Sequence, residues 1–433
     1  MIRRSLAFLW TFFASFMSQA AGSQPGLIQG HSTSPMNRVS AHYFGTDGDR
    51  QQFVHTNGTS FKLGDKPFHF QGTNFFYIGS VSDRSESDVY EALRQLAVKG
   101  IKVVRFWGFS CQGAMHGGVP IIESVQGGKI TYNERALRRL DIALDAARDA
   151  GLKVILTMVN FEPEVCGMQW WVKQLTGDDD KHRFYFDAYV KSVFKDYVGT
   201  ILTRVNSRYR ETLGYELSYR DDPTIMSIEL ANEPHTEDYY EINRNKRPGD
   251  LTYWWLVEMA AFVRSVDKKH LISTGEEGYK TSHSWGDHGY RHAWIHDGMK
   301  GVDFERNVSI PNISFATVHI YPDNWNIPSQ DMWWVKDYLV RDRANIAHAA
   351  GKPIIMEETG FARGSRFARL GYSNSTDYWL NQITEFANAA SYAGTLVWQL
   401  VPPGYSKGDY EFDFNDQIFW VVAKQIQFMN NKN

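Results

Sequence analysis

Two glutamates stand where buried strands should end. The run SIELANEP, residues 227–234, opens apolar and closes on Asn232, Glu233 and Pro234, and the run KPIIMEETG, residues 352–360, closes on Glu357 and Glu358. Two carboxyl groups facing across one bond are what glycosidic cleavage needs: one protonated to assist the leaving oxygen, the other ionised to attack the anomeric carbon or activate water. Their surroundings must then push the two pKa values apart. Other apolar runs close on groups that would do so, Arg105 after VV and His319 and Tyr321 after ATV, since a guanidinium and a phenol favour the charged form of a neighbouring carboxylate. Taken singly, each residue has a plainer reading as a loop glutamate, an ion-pair arginine, a core histidine or a packing tyrosine. Their coincidence at strand ends carries the argument.

The elements that must position these groups follow a strand-then-helix rhythm. Apolar runs at 68–72, 101–107, 152–159, 224–230, 271–274, 313–320, 353–356 and 394–398 read as short strands rich in Val, Ile and Leu, as buried parallel strands are. Helical periods lie between most of them, at 85–99, 184–208, 251–266, 332–350 and 378–390, and Thr131-x-x-Glu134 reads as a capping box for a helix that Gly151 stops. Eight such units predict an α/β fold of the (β/α)8 TIM-barrel type in a single domain, whose strand ends open at one mouth. Strands four and seven face each other across such a ring. On a regular pleat Asn232 and Glu233 would point to opposite faces, so both serve the mouth only if the strand breaks there, and Pro234 favours the break.

Composition bounds the rest. Lys plus Arg total 46 against 49 Asp plus Glu, a net charge of −3, without a basic stripe, which argues against a nucleic-acid partner. Aromatic residues make up 15% of the chain, including 14 Trp and 22 Tyr; most belong to the core, while those at strand ends offer flat faces to sugar rings. Arg3 and Arg4, the apolar stretch Leu6 to Met17 and the small residues that follow have the order of a secretory signal peptide over 1–21, too short to span a bilayer, with a Gly- and Ser-rich leader over 22–45 and a catalytic domain over 46–430. Cys111 and Cys166, each just after a strand, are disulfide candidates, with free thiols the alternative. His283, His288, His292 and His296 have helical spacing for a zinc site, but Gly286 and Gly289 interrupt it, and an aromatic-rich loop lining the cleft is favoured, with no metal. Sequons at Asn57, Asn307, Asn312 and Asn374 matter only in a eukaryotic secretory pathway.

The ordered set Asn232-Glu233-Pro234, His319-x-Tyr321, Glu358-Thr359-Gly360 and Trp398 resembles glycoside hydrolase family 5, a clan A family of retaining barrels, and within it the endo-β-1,4-mannanases. GTNFFYIG from Gly72, VVRFWGF from Val103, DDPTIMSIELANEPH from Asp221, STGEEGY from Ser273, GVDFERN from Gly301 and FATVHIYPDNW from Phe315 extend the likeness over about residues 53–425. The resemblance implies Glu233 as general acid/base and Glu358 as nucleophile, with Glu357 a flanking, ion-paired or hydrogen-bonded residue. It implies Asn232 on the sugar 2-hydroxyl, Arg105 and Tyr321 holding the nucleophile ionised, and His319 as the strand-six histidine. Trp398 would be the platform under the sugar, extended by Trp107 and Trp325, and Asn160 a polar contact of the cleft.

A secreted, extracellular endo-β-1,4-mannanase is thus expected, acting by retaining double displacement on mannan, glucomannan or galactomannan. No cofactor is expected, nor membrane attachment after signal cleavage, and the chain is expected to act as a monomer. The rival readings are a β-1,4-glucanase of the same family and a silent sugar-binding barrel, which would have no use for Glu233, Glu358, Arg105 and Tyr321 together. Two positions depart from the common mannanase pattern. His235 stands where Arg often follows Asn-Glu-Pro, and Ile228 where Trp is frequent; both bear on the aglycone side rather than on the chemistry.

Overall fold

Runs of branched apolar residues bounded by polar turns make strands, and where both faces are covered nothing in them needs to alternate. The computed structural model describes residue 48 and residues 51–433 except 82, 112–118, 164–165, 283–290, 363–369, 373–375 and 406–407. In it the eight expected runs become β1 (Phe70–Asn74), β2 (Val103–Trp107), β3 (Lys153–Thr157), β4 (Ile225–Glu229), β5 (Leu271–Ser273), β6 (Ala316–Ile320), β7 (Ile354–Thr359) and β8 (Gly394–Val397). They pair in parallel in the order β5-β4-β3-β2-β1-β8-β7-β6, consecutive strands wrapped round a ring. The two ends meet through Ser314, whose N–H donates to the Ile272 carbonyl at 2.8 Å and whose hydroxyl accepts from the Ile272 N–H at 3.0 Å. The result is the (β/α)8 barrel, nearly closed.

Helices return the chain to the start of each next strand, among them Glu86–Val98, Glu134–Ala150, Ala188–Thr203, Asp250–Val266, Thr376–Ala389 and Phe419–Asn430. Two differ from expectation. Thr131 does not cap Glu134–Ala150: it lies in the strand Lys129–Tyr132 of a small hairpin, and Asn133, the first residue released from it, accepts from the Arg135 and Ala136 N–H groups instead. The helical period expected over 184–208 is broken at Asp187, whose carboxylate caps Ala188–Thr203 by accepting from Tyr189 and Val190. Gly151, at φ 73°, ends its helix as expected.

Cys111 and Cys166 are joined in a disulfide, Cα to Cα 5.5 Å, tying the loops after β2 and β3. Among the described residues no helix is long and apolar enough to cross a membrane. The expected signal and leader, 1–21 and 22–45, lie outside the described residues, as do His283, His288 and Asn374. Asn307 is fully buried and donates to Glu276 Oε2, so its sequon is closed to a glycan in the folded protein.

A further sheet, absent from the sequence reading, lies ahead of the barrel. Val54–Asn57, Ser60–Leu63 and Lys66–Pro67 form an antiparallel sheet ahead of β1. Its Val54 and Phe61 join Phe68, Phe70, Val103, Ile155, Met226, Leu271, Phe315, Ile355 and Leu396 in one buried cluster, so the sheet plugs the floor of the barrel. Phe61 meets Phe315 edge-on at 5.2 Å and is completely buried. Emptying such a site costs about 3–5 kcal/mol. Phe61→Ala should therefore lower the unfolding free energy by about that amount in denaturant titration, while KM, set at the far end of the barrel, stays unchanged.

Candidate active site

Arg105 is the hub of the barrel mouth. It projects from β2 with no exposed surface, and a buried guanidinium must find acceptors for its donors. Nε and Nη2 meet Glu229 Oε1 at 3.1 and 2.7 Å, Nη2 also meets Asn232 Oδ1 at 2.6 Å, and Nη1 meets Asn74 Oδ1 at 3.0 Å and Glu358 Oε1 at 2.5 Å. The ends of β1, β2, β4 and β7 are thus drawn to one cation. Glu229 and Asn74, which the sequence reading passed over, are part of this cluster. An acid within the apolar run SIELANEP was the available signal, because a buried carboxylate requires a partner.

The chain after β4 breaks as Pro234 suggested, and the backbone at Glu233 is left-handed, φ 51°. The Glu233 N–H donates to the Gly275 carbonyl at 2.8 Å. Gly275, at φ 72°, has no room for a Cβ, which would fall 1.9 Å from the Ala231 carbonyl oxygen, so close backbone approach there places the turn. Asn232 and Glu233 consequently both face the mouth. The Asn232 amide donates to Asn160 Oδ1 at 2.9 Å, so Asn160 holds Asn232 in place.

A second irregularity serves β7. Val318 pairs with Met356 but His319 pairs with Glu358, leaving Glu357 as the extra residue of a bulge. A bulge re-aims side chains that a pleat would send to opposite faces, and both Glu357 and Glu358 reach the Arg105 cluster. Glu358 Oε2 accepts from the Tyr321 hydroxyl at 2.8 Å. His319, fully buried, spans the pair of strand ends: Nδ1 lies 2.9 Å from Glu233 Oε1 and Nε2 lies 3.2 Å from Glu357 Oε2.

An oxygen of Glu233, an oxygen of Glu358 and His319 Nδ1 lie within 4.8 Å of one another. This is the one acid and histidine cluster of metal-ligand size among the described residues, yet Glu233 Oε1 faces His319 and Glu358 Oε1 faces Arg105, so its lone pairs are already engaged. Withdrawal from water pushes Glu233 up to about 8, helped by Glu277 and opposed by His235 and Arg105. Burial also raises Glu358, opposed by His319, Arg105 and the Tyr321 hydrogen bond. Burial holds His319 below its usual value, and so largely neutral.

Aromatic side chains line the mouth. Trp398, half-buried and followed by a cis peptide bond, stacks on Phe76 at 5.3 Å and 8°. Trp107, expected to extend the platform, is only 7% exposed, stacks on Phe109 and leans on Phe76. Trp325 is half-buried beside Tyr279 and Trp294. His235 packs on Phe161 at 4.0 Å and lies 3.3 Å from Glu277; burial and Lys300 push it down to about 4, so it is an uncharged replacement for an arginine. His292 is bound to Asp331 at 2.9 Å, and His296 rests on Trp334.

The family comparison accounts for this arrangement. Residues 51–401 match the family described as GH family 5 beta-mannosidase-like.

The chain belongs to glycoside hydrolase family 5.

Family 5 relatives include a mannan endo-1,4-beta-mannosidase of Solanum lycopersicum, 32% identical over 82% of each chain, and one of Oryza sativa subsp. japonica, 31% identical over 87% of each. Among solved family 5 structures, an endo-1,4-beta-mannanase from Rhizomucor miehei matches with a TM-score of 0.70 and 26% identity, over 88% of this chain and 99% of that one. As a family 5 member the protein is a glycoside hydrolase, which excludes the silent sugar-binding barrel.

The electrostatics of Glu233 are open to direct measurement. Carboxyl 13C NMR of the free protein should show Glu233 titrating near 8 rather than near 4.5, and Glu277→Gln should lower that midpoint by removing a like charge. A midpoint near 4.5 in the wild type would contradict the assigned environment.

Proposed function

We propose that the protein is a secreted endo-β-1,4-mannanase that cleaves internal bonds of mannan, glucomannan or galactomannan with retention of configuration, acting as a monomer. The observation that carries the reading is the opposition of Glu233 and Glu358 across the mouth, oxygens within 4.8 Å, with Arg105 and Tyr321 donating to Glu358 and neither donating to Glu233. A separation this short suits a carboxylate that attacks directly, whereas inverting pairs stand about 6.5 Å or more apart to admit a water.

In the first step Glu358 attacks the anomeric carbon, the glycosidic C–O bond breaks and the Glu233 proton passes to the leaving oxygen. In the second, Glu233 takes a proton from water as that oxygen attacks the anomeric carbon, and the ester bond to Glu358 breaks. In this reading Asn232 meets the sugar 2-hydroxyl and Trp398 the ring face; supporting it, Arg105 and Asn160 hold Asn232 and Phe76 stacks on Trp398. The names of the relatives support β-1,4-mannan as substrate. Secretion is supported by the leader sequence and by the Cys111–Cys166 disulfide, which suits an oxidising compartment.

The test is product analysis on mannan, carboxymethylcellulose and xylan. Wild type should release manno-oligosaccharides, first as the β-anomer by NMR, Glu358→Ala should be inactive, and Glu233→Gln should lose about 10²- to 10⁴-fold in kcat. Because the donor must be protonated, kcat/KM should fall as pH rises through about 8, with a separate acid limb where Glu358 takes up its proton. Preferential hydrolysis of the cellulose derivative would instead favour the glucanase, and full activity in Glu358→Ala would remove the nucleophile assignment.

A further inference from the structure

Arg105 has more acids around it than it can neutralise. Glu229 takes two of its nitrogens and the Thr157 hydroxyl at 2.8 Å, and Glu358 takes Nη1 and the Tyr321 hydroxyl. Glu357 is as deeply buried, yet it lies 4.0 Å from Arg105 Nε, and its Oε1 meets no donor. A third buried anion there would have no close charge partner and only the long contact from His319 as a hydrogen bond, so it takes up a proton instead. The carboxyls of Glu229 and Glu357 moreover hydrogen-bond to each other, which requires one proton between them. Arg105 and its own burial decide whose it is. Arg105 holds Glu229 below the usual carboxylate range against its burial, while burial and the Glu229 charge put Glu357 well above it.

That proton fixes the histidine. A neutral imidazole has one N–H and one lone pair. Glu357 has a single proton, spent on Glu229, so toward His319 it can only accept, and His319 must carry its hydrogen on Nε2, 3.2 Å from Glu357 Oε2. Nδ1 is then a lone pair, and it faces Glu233 Oε1 at 2.9 Å.

We propose that Glu357 is a positioning residue for the acid/base: as a neutral acid it fixes the Nε2–H tautomer of His319, whose Nδ1 lone pair accepts a hydrogen bond from the Glu233 carboxylic acid and so makes the acid form the resting state. The inference rests on the reading of Glu233 as proton donor. A lone pair aimed at Oε1 stabilises the carboxylic acid and repels the carboxylate, which both keeps Glu233 loaded and makes it a stronger base for the second step. The other ionisable groups around Glu233 are Glu277 after β5, His235 on its own loop, Glu162 after β3, Arg105 on β2, Tyr321 after β6, Tyr279 after β5 and Glu358 on β7. None of them supplies this hydrogen bond to Oε1; His319 does.

The experiment compares Glu357→Gln with Glu357→Met. Glutamine mimics the neutral acid, its carbonyl accepting from Nε2 and its amide donating to Glu229. Glu357→Gln should keep kcat within about threefold and leave the alkaline limb of kcat/KM in place. Glu357→Met removes the acceptor, frees His319 to turn its hydrogen on Nδ1 toward an ionised Glu233, and should move that limb down by about one pH unit or more and lower kcat about tenfold, with KM little changed. In 15N-histidine spectra of the wild type, assigned with His319→Asn, Nε2 should be pyrrole-type and Nδ1 pyridine-type. The reverse tautomer, an equal shift in both variants, or a shift in neither overturns the inference while leaving the hydrolase reading intact. Full activity in Glu233→Gln removes the acid/base reading and this inference with it.

Discussion

A single buried positive charge organises the site. Arg105 has no water to fall back on, so its donors must be met by protein, and the acceptors come from the ends of three other strands. Removing one partner of such a cluster leaves the others desolvated and unpaired, which is why a buried ionic network constrains geometry more than it adds stability. Glu358 and Asn232 are both fixed by that network, and its donors oppose the upward push of burial on Glu358. Glu233, outside its direct reach, is left in surroundings that favour the proton.

Regular β-structure alone could not deliver these groups. Consecutive residues on a strand face opposite ways, yet Asn232 with Glu233 and Glu357 with Glu358 both act at one mouth. The chain solves the problem twice by different means, a left-handed residue beyond β4 and an extra residue within β7. Left-handed backbone at a non-glycine residue is uncommon and persists only where the surroundings impose it; here Gly275 and the Asn160–Asn232 bond do so. Local backbone strain and the raised carboxyl pKa fall on the same residue.

The barrel was legible because strands covered on both faces are written as unbroken Val, Ile and Leu runs, and all eight were found to within a few residues at each end. The floor plug was not: its strands are two to four residues long and partly exposed, too short for a period to emerge. The candidate site was legible where polar residues interrupt an apolar run at its end, as at Glu233, His319 and Glu358. Glu229 was not legible because it lies inside the run rather than at its end, its partner is 124 residues away and no spacing rule connects them. Trp107 meets a related limit, since its place at a strand end is legible but its packing against Phe76 and Phe109 is not.

The plugged floor has a consequence for traffic. With Phe61 and its neighbours filling the base of the ring, the well is blind, and whatever reaches the carboxyl groups must come and go over the same rim. Arrival and departure therefore share one doorway, so whatever sits at the carboxyl groups must clear the rim before another molecule can take its place.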